Sequence, residues 1–319
     1  MDKQLIEMPK RDGTKTKGTG ISTWGGKFNA IPLLVPYFPR PISTLKFVDV
    51  FTGSGVVSLN YWPRNCVMND KNDYIFAFFF VLNGVSFKDL IDEFPDSEDI
   101  KYYKRRYEMY KSFMVELKGM ARGLVWFEEY RKRTDLVGKA LTYLILNRSN
   151  FAGKVKINDK NPFRFKIPER TPLVAFEEMV KFFQERDVRV WNFDFREVIQ
   201  RANKWNDTDQ QVIFIYCDPP YIEAGKGLYE YDFTEKELTD LRDLLAESSH
   251  HWIMSNENSP LVRKLFKDYY FKKVRWQYTG TNAGDTTRFK GKYEFLVSNR
   301  PFVKREKEVD NMESLGKWM

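Results

Sequence analysis

The sequence predicts an α/β fold, a sheet flanked by helices with a second module spliced into it. Three observations predict it. Apolar strand-like runs alternate with helix-like runs over residues 45–83 and again over 188–299. Between those two regions lies a helical, strongly basic stretch. The residues with the most chemical character stand just after strand-like runs, where open α/β sheets bind their ligands.

The elements follow in order. LKFVDV at 45–50 reads as a buried strand, then a glycine turn FTGSG and a helix-compatible VVSLNYW. NCVMND at 65–70 reads as a second strand, and the apolar run YIFAFFFVLN at 74–83 as a buried helix. Residues 99–119 and 124–147 interleave charged and aromatic positions and read as helices. KVKINDKNPFRFKI at 154–167 reads as a β-hairpin. Val155 and Ile157 alternate with lysines, 158–161 turns, and Phe163, Phe165 and Ile167 alternate with Arg164 and Lys166. The alternation resumes with a strand at 188–194 (VRVWNFD), a helix at 196–204 and a strand at 211–218 (QVIFIYCD). A helix at 234–247 is opened by Thr234, with Glu237 three residues on as a capping box. HWIMSN at 251–256 is a strand with His250–His251 in the loop before it, 259–268 a helix, and YEFLVSN at 293–299 a closing strand. Residues 1–20 and 302–319 read as loosely held ends.

Composition narrows the function. The chain has 319 residues, 42% of them hydrophobic and 16% aromatic, enough for two domains or one with a large insertion. No apolar run approaches the roughly 18 residues of a membrane span, and the N-terminus has no secretion-signal pattern, so a cytoplasmic protein without membrane contact is expected. Two cysteines, Cys66 and Cys217, make neither a disulfide framework nor a zinc cluster. The two histidines are adjacent, which disfavours a Ser/His/Asp triad or a histidine metal centre, and no metal is expected. Net charge is +8, but between Lys101 and Arg170 there are 18 Lys plus Arg against 7 Asp plus Glu. One segment therefore carries the whole basic excess, as a polyanion-facing module would; a solvated basic helix face is the other reading.

FVDVFTGSG places Asp49, Phe51, Gly53 and Gly55 after the first strand, where glycines let backbone approach a ligand closely. Asp70 ends the second strand, 17 residues after Gly53, where an acid can grip ribose hydroxyls or simply cap a turn. The most specific stretch is FIYCDPPY at 214–221. Pro219 and Pro220 remove two amide donors and fix two φ angles. That leaves the Asp218 carboxylate, the Pro219 carbonyl and the Tyr221 ring presented from a stiff corner, a set suited to a planar base bearing an amino group.

FTGSG followed much later by DPPY resembles the Dam-like (D12 class) DNA adenine N6-methyltransferases, which use S-adenosylmethionine. GGK at Gly25–Lys27, the LNRSNFAGKVKIN stretch at 146–158 and NFDF at 192–195 match the family's pieces in order, over most of residues 21–300. The resemblance implies a Rossmann-like sheet, mostly parallel with its last strand antiparallel. It implies a discontinuous catalytic domain, 1–84 and 186–305, a target-recognition domain of helices plus hairpin at 85–185, and a tail at 306–319. S-adenosylmethionine would meet Trp24, Lys27, Asp49, Phe51, Gly53, Gly55, Asp70, Asp194, Phe195 and Asp218. Double-stranded DNA would meet Arg148, Asn150, Lys154, Lys156, Arg164 and Lys166. The family reads Trp-Ala-Gly-Gly-Lys where this chain has Thr23-Trp24-Gly25-Gly26-Lys27, so either Trp24 takes over the cofactor-stacking role or the stacking is lost.

The implied chemistry is methyl transfer to the exocyclic amine of a flipped-out adenine. Asp218 and Pro219 would orient the amine, Pro220 would stiffen the corner and Tyr221 would stack on the base. A cognate restriction endonuclease is a partner the resemblance allows, and no obligate protein partner is implied. Cytosine-N4 or RNA adenine methylation would use a similar pocket. A catalytically inactive nucleic-acid binder is the alternative of another class, and a dinucleotide oxidoreductase lacks the full G-x-G-x-x-G. Cys217 precedes the acid inside the strand, without the Pro-Cys context of carbon-5 cytosine chemistry, and reads as a small buried residue.

Overall fold

The computed structural model describes residues 16–21, 23, 26–40, 44–93, 100–119, 130–149, 176–206, 212–222, 233–275 and 294–304. Their strands are β1 Leu45–Asp49, β2 Asn65–Asn69, β3 Asp187–Trp191, β4 Val212–Cys217, β5 His251–Glu257, β6 Tyr270–Val274 and β7 Glu294–Ser298. They form one sheet in the order β3-β2-β1-β4-β5-β7-β6. β1 to β5 pair in parallel. β7 runs antiparallel between β5 and β6. The mostly parallel Rossmann-like sheet with an antiparallel last strand is thus present.

The helices are α1 Ile31–Leu34, α2 Val56–Tyr61, α3 Asp73–Leu82, α4 Lys88–Glu93, α5 Ile100–Gly119, α6 Leu136–Ser149, α7 Glu177–Glu185, α8 Phe195–Asn203, α9 Glu235–Ala246 and α10 Pro260–Leu265. Strand side chains alternate between two apolar layers, as the pleat requires. Leu45, Phe47, Phe214 and Tyr216 join one layer, with the buried faces of α2, α3, α5, α6 and α7. Val48, Ile213, Ile215 and Cys217 join the other, with α8, α9 and α10. Phe38 anchors the first layer. It is 1% exposed, and its ring lies 4.9–6.0 Å from those of Phe47, Tyr61, Phe214 and Tyr216.

Several expectations are corrected. Residues 124–129 of the helix expected over 124–147 lie outside the described residues; Tyr130 is helical, the chain breaks over 131–135, and a helix resumes at Leu136. The Asp135 carboxylate accepts the Gly138 amide at 2.9 Å and is gripped by Arg133, which makes residues 131–135 a break capping the helix that follows. The third strand stops at Trp191, because Asp194 turns to cap α8 by accepting the Arg196 amide. β6 was not expected, since the lysines in YFKKV hide its alternation. His251 belongs to β5 rather than to the loop. His250 is buried, with Nε2 3.1 Å from the Ala202 carbonyl. Of the two ends, residues 16–20 and 302–304 are described, and these are held to the body. Lys17 and Asn60 exchange two hydrogen bonds of 2.8 and 2.9 Å, and Phe302 packs edge-on to Tyr37. Cys66 and Cys217 are free and buried. The Thr234–Glu237 capping box is formed on both sides. The hairpin expected at 154–167 and the tail at 306–319 lie outside the described residues. Among the described residues no helix is long and apolar enough to cross a membrane.

Phe38→Ala should cost about 3–5 kcal/mol of unfolding free energy, as expected for truncating a fully buried aromatic. Urea denaturation followed by circular dichroism measures it; a loss under about 1 kcal/mol would show that this ring does not anchor the layer.

Candidate active site

Two loops leave the carboxyl edge of the sheet side by side, because β1 and β4 are hydrogen-bonded neighbours with Asp49 opposite Tyr216. The first is the glycine turn. Thr52 donates its amide to the Asn69 carbonyl at 2.8 Å, and Gly55 donates to the Thr52 carbonyl at 2.8 Å. The turn then passes through positive φ at Gly53 (51°) and Gly55 (72°). A Cβ on Gly55 would stand 2.8 Å from the Phe79 ring, so both the dihedral and the space call for glycine.

Acids lie beneath and beside this turn. Asp49 is 1% exposed. One of its oxygens accepts the Ser58 hydroxyl at 2.6 Å, and the other is buried without a partner. Burial pushes its carboxyl up to about 7, against the Ser58 hydrogen bond that favours the ionised form. Asp70 accepts the Gly53 and Asn72 amides, each at 2.9 Å, so its present work is to hold the turn. Burial pushes Asp70 up to about 6 despite those two bonds. Next to the turn the rings of Phe51, Phe195 and Phe233 lie 5.7–5.9 Å apart in pairs and form an aromatic wall. Asp194 is held at the start of α8 by the Arg196 amide and by ion pairs of 3.0 Å to Lys71 and Arg196.

The second loop is the proline corner. Asp218 Oδ1 accepts from Lys27 Nζ at 2.7 Å and from Ser255 Oγ at 2.8 Å. Ser255 Oγ is in turn 2.8 Å from the Tyr216 hydroxyl. Lys27 also donates to the Tyr221 hydroxyl at 3.1 Å, with its ammonium 5.2 Å from the Tyr221 ring centre. Glu294 Oε2 stands 3.9 Å from the same ammonium. Lys27 and Glu294 side chains are 2% and 7% exposed and that of Asp218 19%. The lysine is thus sealed in while the aspartate keeps an edge exposed.

The segment before β1 joins the two loops. The Thr23 carbonyl accepts the Gly26 amide at 2.9 Å, and a Cβ on Gly26 would press to 2.9 Å on that carbonyl. Thr23 lies over the glycine turn, its Oγ1 3.4 Å from where a Gly53 Cβ would be, while Lys27 reaches the proline corner. Trp24, the candidate for stacking on the cofactor, lies outside the described residues.

Of the residues expected at DNA, Asn150, Lys154, Lys156, Arg164 and Lys166 also lie outside them. Arg148 closes α6, with Nε and Nη2 buried and unpartnered and its pKa lowered by burial. Not all of the basic segment faces outward. Arg106 is buried and bonds the Phe80 carbonyl, Asn83 and Tyr102. Among the described residues no group of three or more His, Cys, Asp or Glu could hold a metal ion.

Four participants were missed. Asn69 ties the ends of the first three strands, donating to the Val50 and Phe193 carbonyls and accepting the Phe193 amide. Ser255 and Phe233 had a readable signal, a strand-end hydroxyl and an aromatic entering a helix. Glu294 had none. It starts an antiparallel strand, so its amino end, rather than its carboxyl end, arrives at the functional edge.

A family model described as D12 class N6 adenine-specific DNA methyltransferase matches residues 24–280. The chain is 24% identical to a type II methyltransferase, M1.LlaDCHI, from Lactococcus lactis subsp. cremoris, over 86% of this chain and 93% of that protein. It is 24% identical to a DNA adenine methylase from Haemophilus influenzae, over 84% of this chain and 91% of that protein. Against the type II methyltransferase M.FokI of Planomicrobium okeanokoites, 24% identical, it covers 92% of its own length but 44% of the relative's.

Gly26→Ala should displace the Thr23 turn and so the reach of Lys27. The expected cost is ~1–3 kcal/mol, from a contact that neither partner can relieve without moving backbone. Thermal unfolding of the variant reads it; an unchanged midpoint would show that the turn accommodates a side chain.

Proposed function

This chain belongs to the D12 class N6 adenine-specific DNA methyltransferase family, and on that footing we propose that it methylates N6 of an adenine swung out of double-stranded DNA, with S-adenosylmethionine as donor. The observation that carries the reading is the juxtaposition of the proline corner and the glycine turn on adjacent strands, with one buried lysine tying the corner to the segment that covers the turn.

The residues present fit the donor. Gly53 keeps the turn free of a side chain while Gly55 lets it pack on Phe79, the Phe51–Phe195–Phe233 wall offers ring faces, and Asp49, Asp70 and Asp194 set acids around the turn. S-adenosylmethionine supplies an already activated methyl group, which makes positioning the main demand on the protein. Asp218 meets that demand at the acceptor side. Its Oδ1 is occupied by Lys27 and Ser255, and among the described residues its Oδ2 takes no hydrogen bond. Oδ2 and the Pro219 carbonyl are the two acceptors for the two amine hydrogens. Accepting them draws the nitrogen lone pair out of the ring and toward the methyl group, and Asp218 stabilises the positive charge that develops there. The proton that the methylated amine sheds leaves by way of Asp218. Tyr221, with its hydroxyl fixed by Lys27, offers its ring to the base.

Flipping costs a few kcal/mol of stacking and pairing. The basic segment offsets that cost by pairing with phosphates, with Arg148, Asn150, Lys154, Lys156, Arg164 and Lys166 as the contacting set. In this reading 1–84 and 186–305 form the catalytic unit, 85–185 reads the target, and the protein works in the cytoplasm. Relatives named as type II methyltransferases support a cognate restriction endonuclease as partner.

Asp218→Asn should lower kcat by ~10²–10³-fold, the loss expected for a preorganised charged acceptor, with DNA binding kept within about threefold. Mass spectrometry of nucleosides after incubation with DNA and S-adenosylmethionine reads out N6-methyladenine. Full activity in the variant removes Asp218 from the mechanism, and methylcytosine alone overturns the adenine assignment. Lys154→Ala with Lys156→Ala should reduce the slope of log K against log salt by about 0.9 for each phosphate that is no longer neutralised. An unchanged slope in fluorescence anisotropy would place these lysines away from the backbone.

A further inference from the structure

One ammonium in this site faces two carboxylates. Lys27 Nζ is 2.7 Å from Asp218 Oδ1, 3.1 Å from the Tyr221 hydroxyl and 3.9 Å from Glu294 Oε2. Glu294 sits at the start of β7, opposite Glu257 of β5 and Val274 of β6. Both of its carboxylate oxygens are buried without a hydrogen bond. No part of the mechanism above uses it. A buried acid with no close ion pair, its nearest ammonium 3.9 Å away and committed to another carboxylate, costs stability unless it stays neutral.

We infer that Glu294 is a positioning residue for Lys27: protonated, it leaves the ammonium on Asp218 and Tyr221, and ionised, it draws the ammonium toward itself and loosens the corner. The inference rests on the catalytic reading of Asp218 and Tyr221. The groups facing Glu294 are Lys27 from the segment before β1, Tyr216, Asp218 and Tyr221 from β4 and its loop, and Glu257 from β5. Burial raises its carboxyl to about 8; Lys27 and the Tyr221 hydroxyl counteract this, and Asp218 and Glu257 add to it. Near neutral pH the ammonium therefore has one charged carboxylate partner, the geometry observed. Above pH 8 two carboxylates compete for it.

The expected result in the wild-type enzyme is a fall in kcat of about tenfold from pH 7 to pH 9, as a single ionisation near 8 takes the protonated fraction from about 0.9 to about 0.1. In Glu294→Gln the kcat at pH 9 should stay within about twofold of that at pH 7, because the amide cannot ionise. The same tenfold fall in the variant overturns the proposal. A second readout does not need activity. Glu294 has a folded pKa raised above its ordinary 4.5, so the folded state holds a proton that the unfolded chain has lost, and stability falls as pH rises between those values. The melting temperature of wild type minus that of Glu294→Gln should decline from pH 5 to pH 8. A constant difference also overturns the proposal. Should the glutamine variant fail to fold, Glu294→Met, uncharged and of similar bulk, carries both measurements. A wild-type protein that methylates no adenine at any pH defeats the function proposed above, and the melting comparison still decides the state of Glu294.

Discussion

The burial of one lysine organises this site. Taking an ammonium out of water costs several kcal/mol, and that cost is met only if fixed acceptors surround it. Lys27 finds them in the Asp218 carboxylate and the Tyr221 hydroxyl. Those two residues lie on either side of Pro219 and Pro220, and the prolines stop the corner from flexing away. The requirement acts in both directions. The lysine fixes the orientation of the acid and the ring, and the acid and the ring fix the segment from Thr23 to Lys27 across the glycine turn.

The sheet explains why one residue can serve both loops. β1 and β4 are adjacent and in register, so the turns that follow them emerge about one strand spacing apart, ~4.8 Å. β2 and β3 deliver Asp70 and Asp194 to the same edge, and Asn69 clips three strand ends together from within. β7 completes the site by running the other way. Its first residue, not its last, reaches the carboxyl edge of the parallel strands, and that residue is an acid. The result is a site rich in carboxylates, three of them raised toward neutrality by burial, beside a lysine and a wall of rings. Such a setting favours a ligand that brings its own positive charge.

Much of this was legible in the sequence, for identifiable reasons. Strands β1, β2 and β4 are buried on both faces and read as continuous apolar runs. The Thr234 capping box announced α9, and the glycine turn and DPPY declared themselves by residues with few other uses. What was not legible depended on interactions between residues distant in the chain. The Lys27–Asp218 pair joins the segment before β1 to the loop after β4, and no local pattern says that a lysine after two glycines will turn inward. Glu294 was invisible because strand direction, not composition, brings it to the site. β6 was hidden by lysines on a partly exposed edge, and the helical run is broken before α6 because Asp135 turns to hold the Gly138 amide and Arg133.

The most direct measurement is a structure of the protein with duplex DNA containing its target adenine and an unreactive analogue of S-adenosylmethionine. The account predicts the extruded adenine against Tyr221, its amine nitrogen ~3 Å from Asp218 Oδ2 and from the Pro219 carbonyl, and Lys27 still on Asp218 Oδ1. An adenine left stacked in the duplex, or an Asp218 with both oxygens turned onto protein partners and none onto the base, would contradict it.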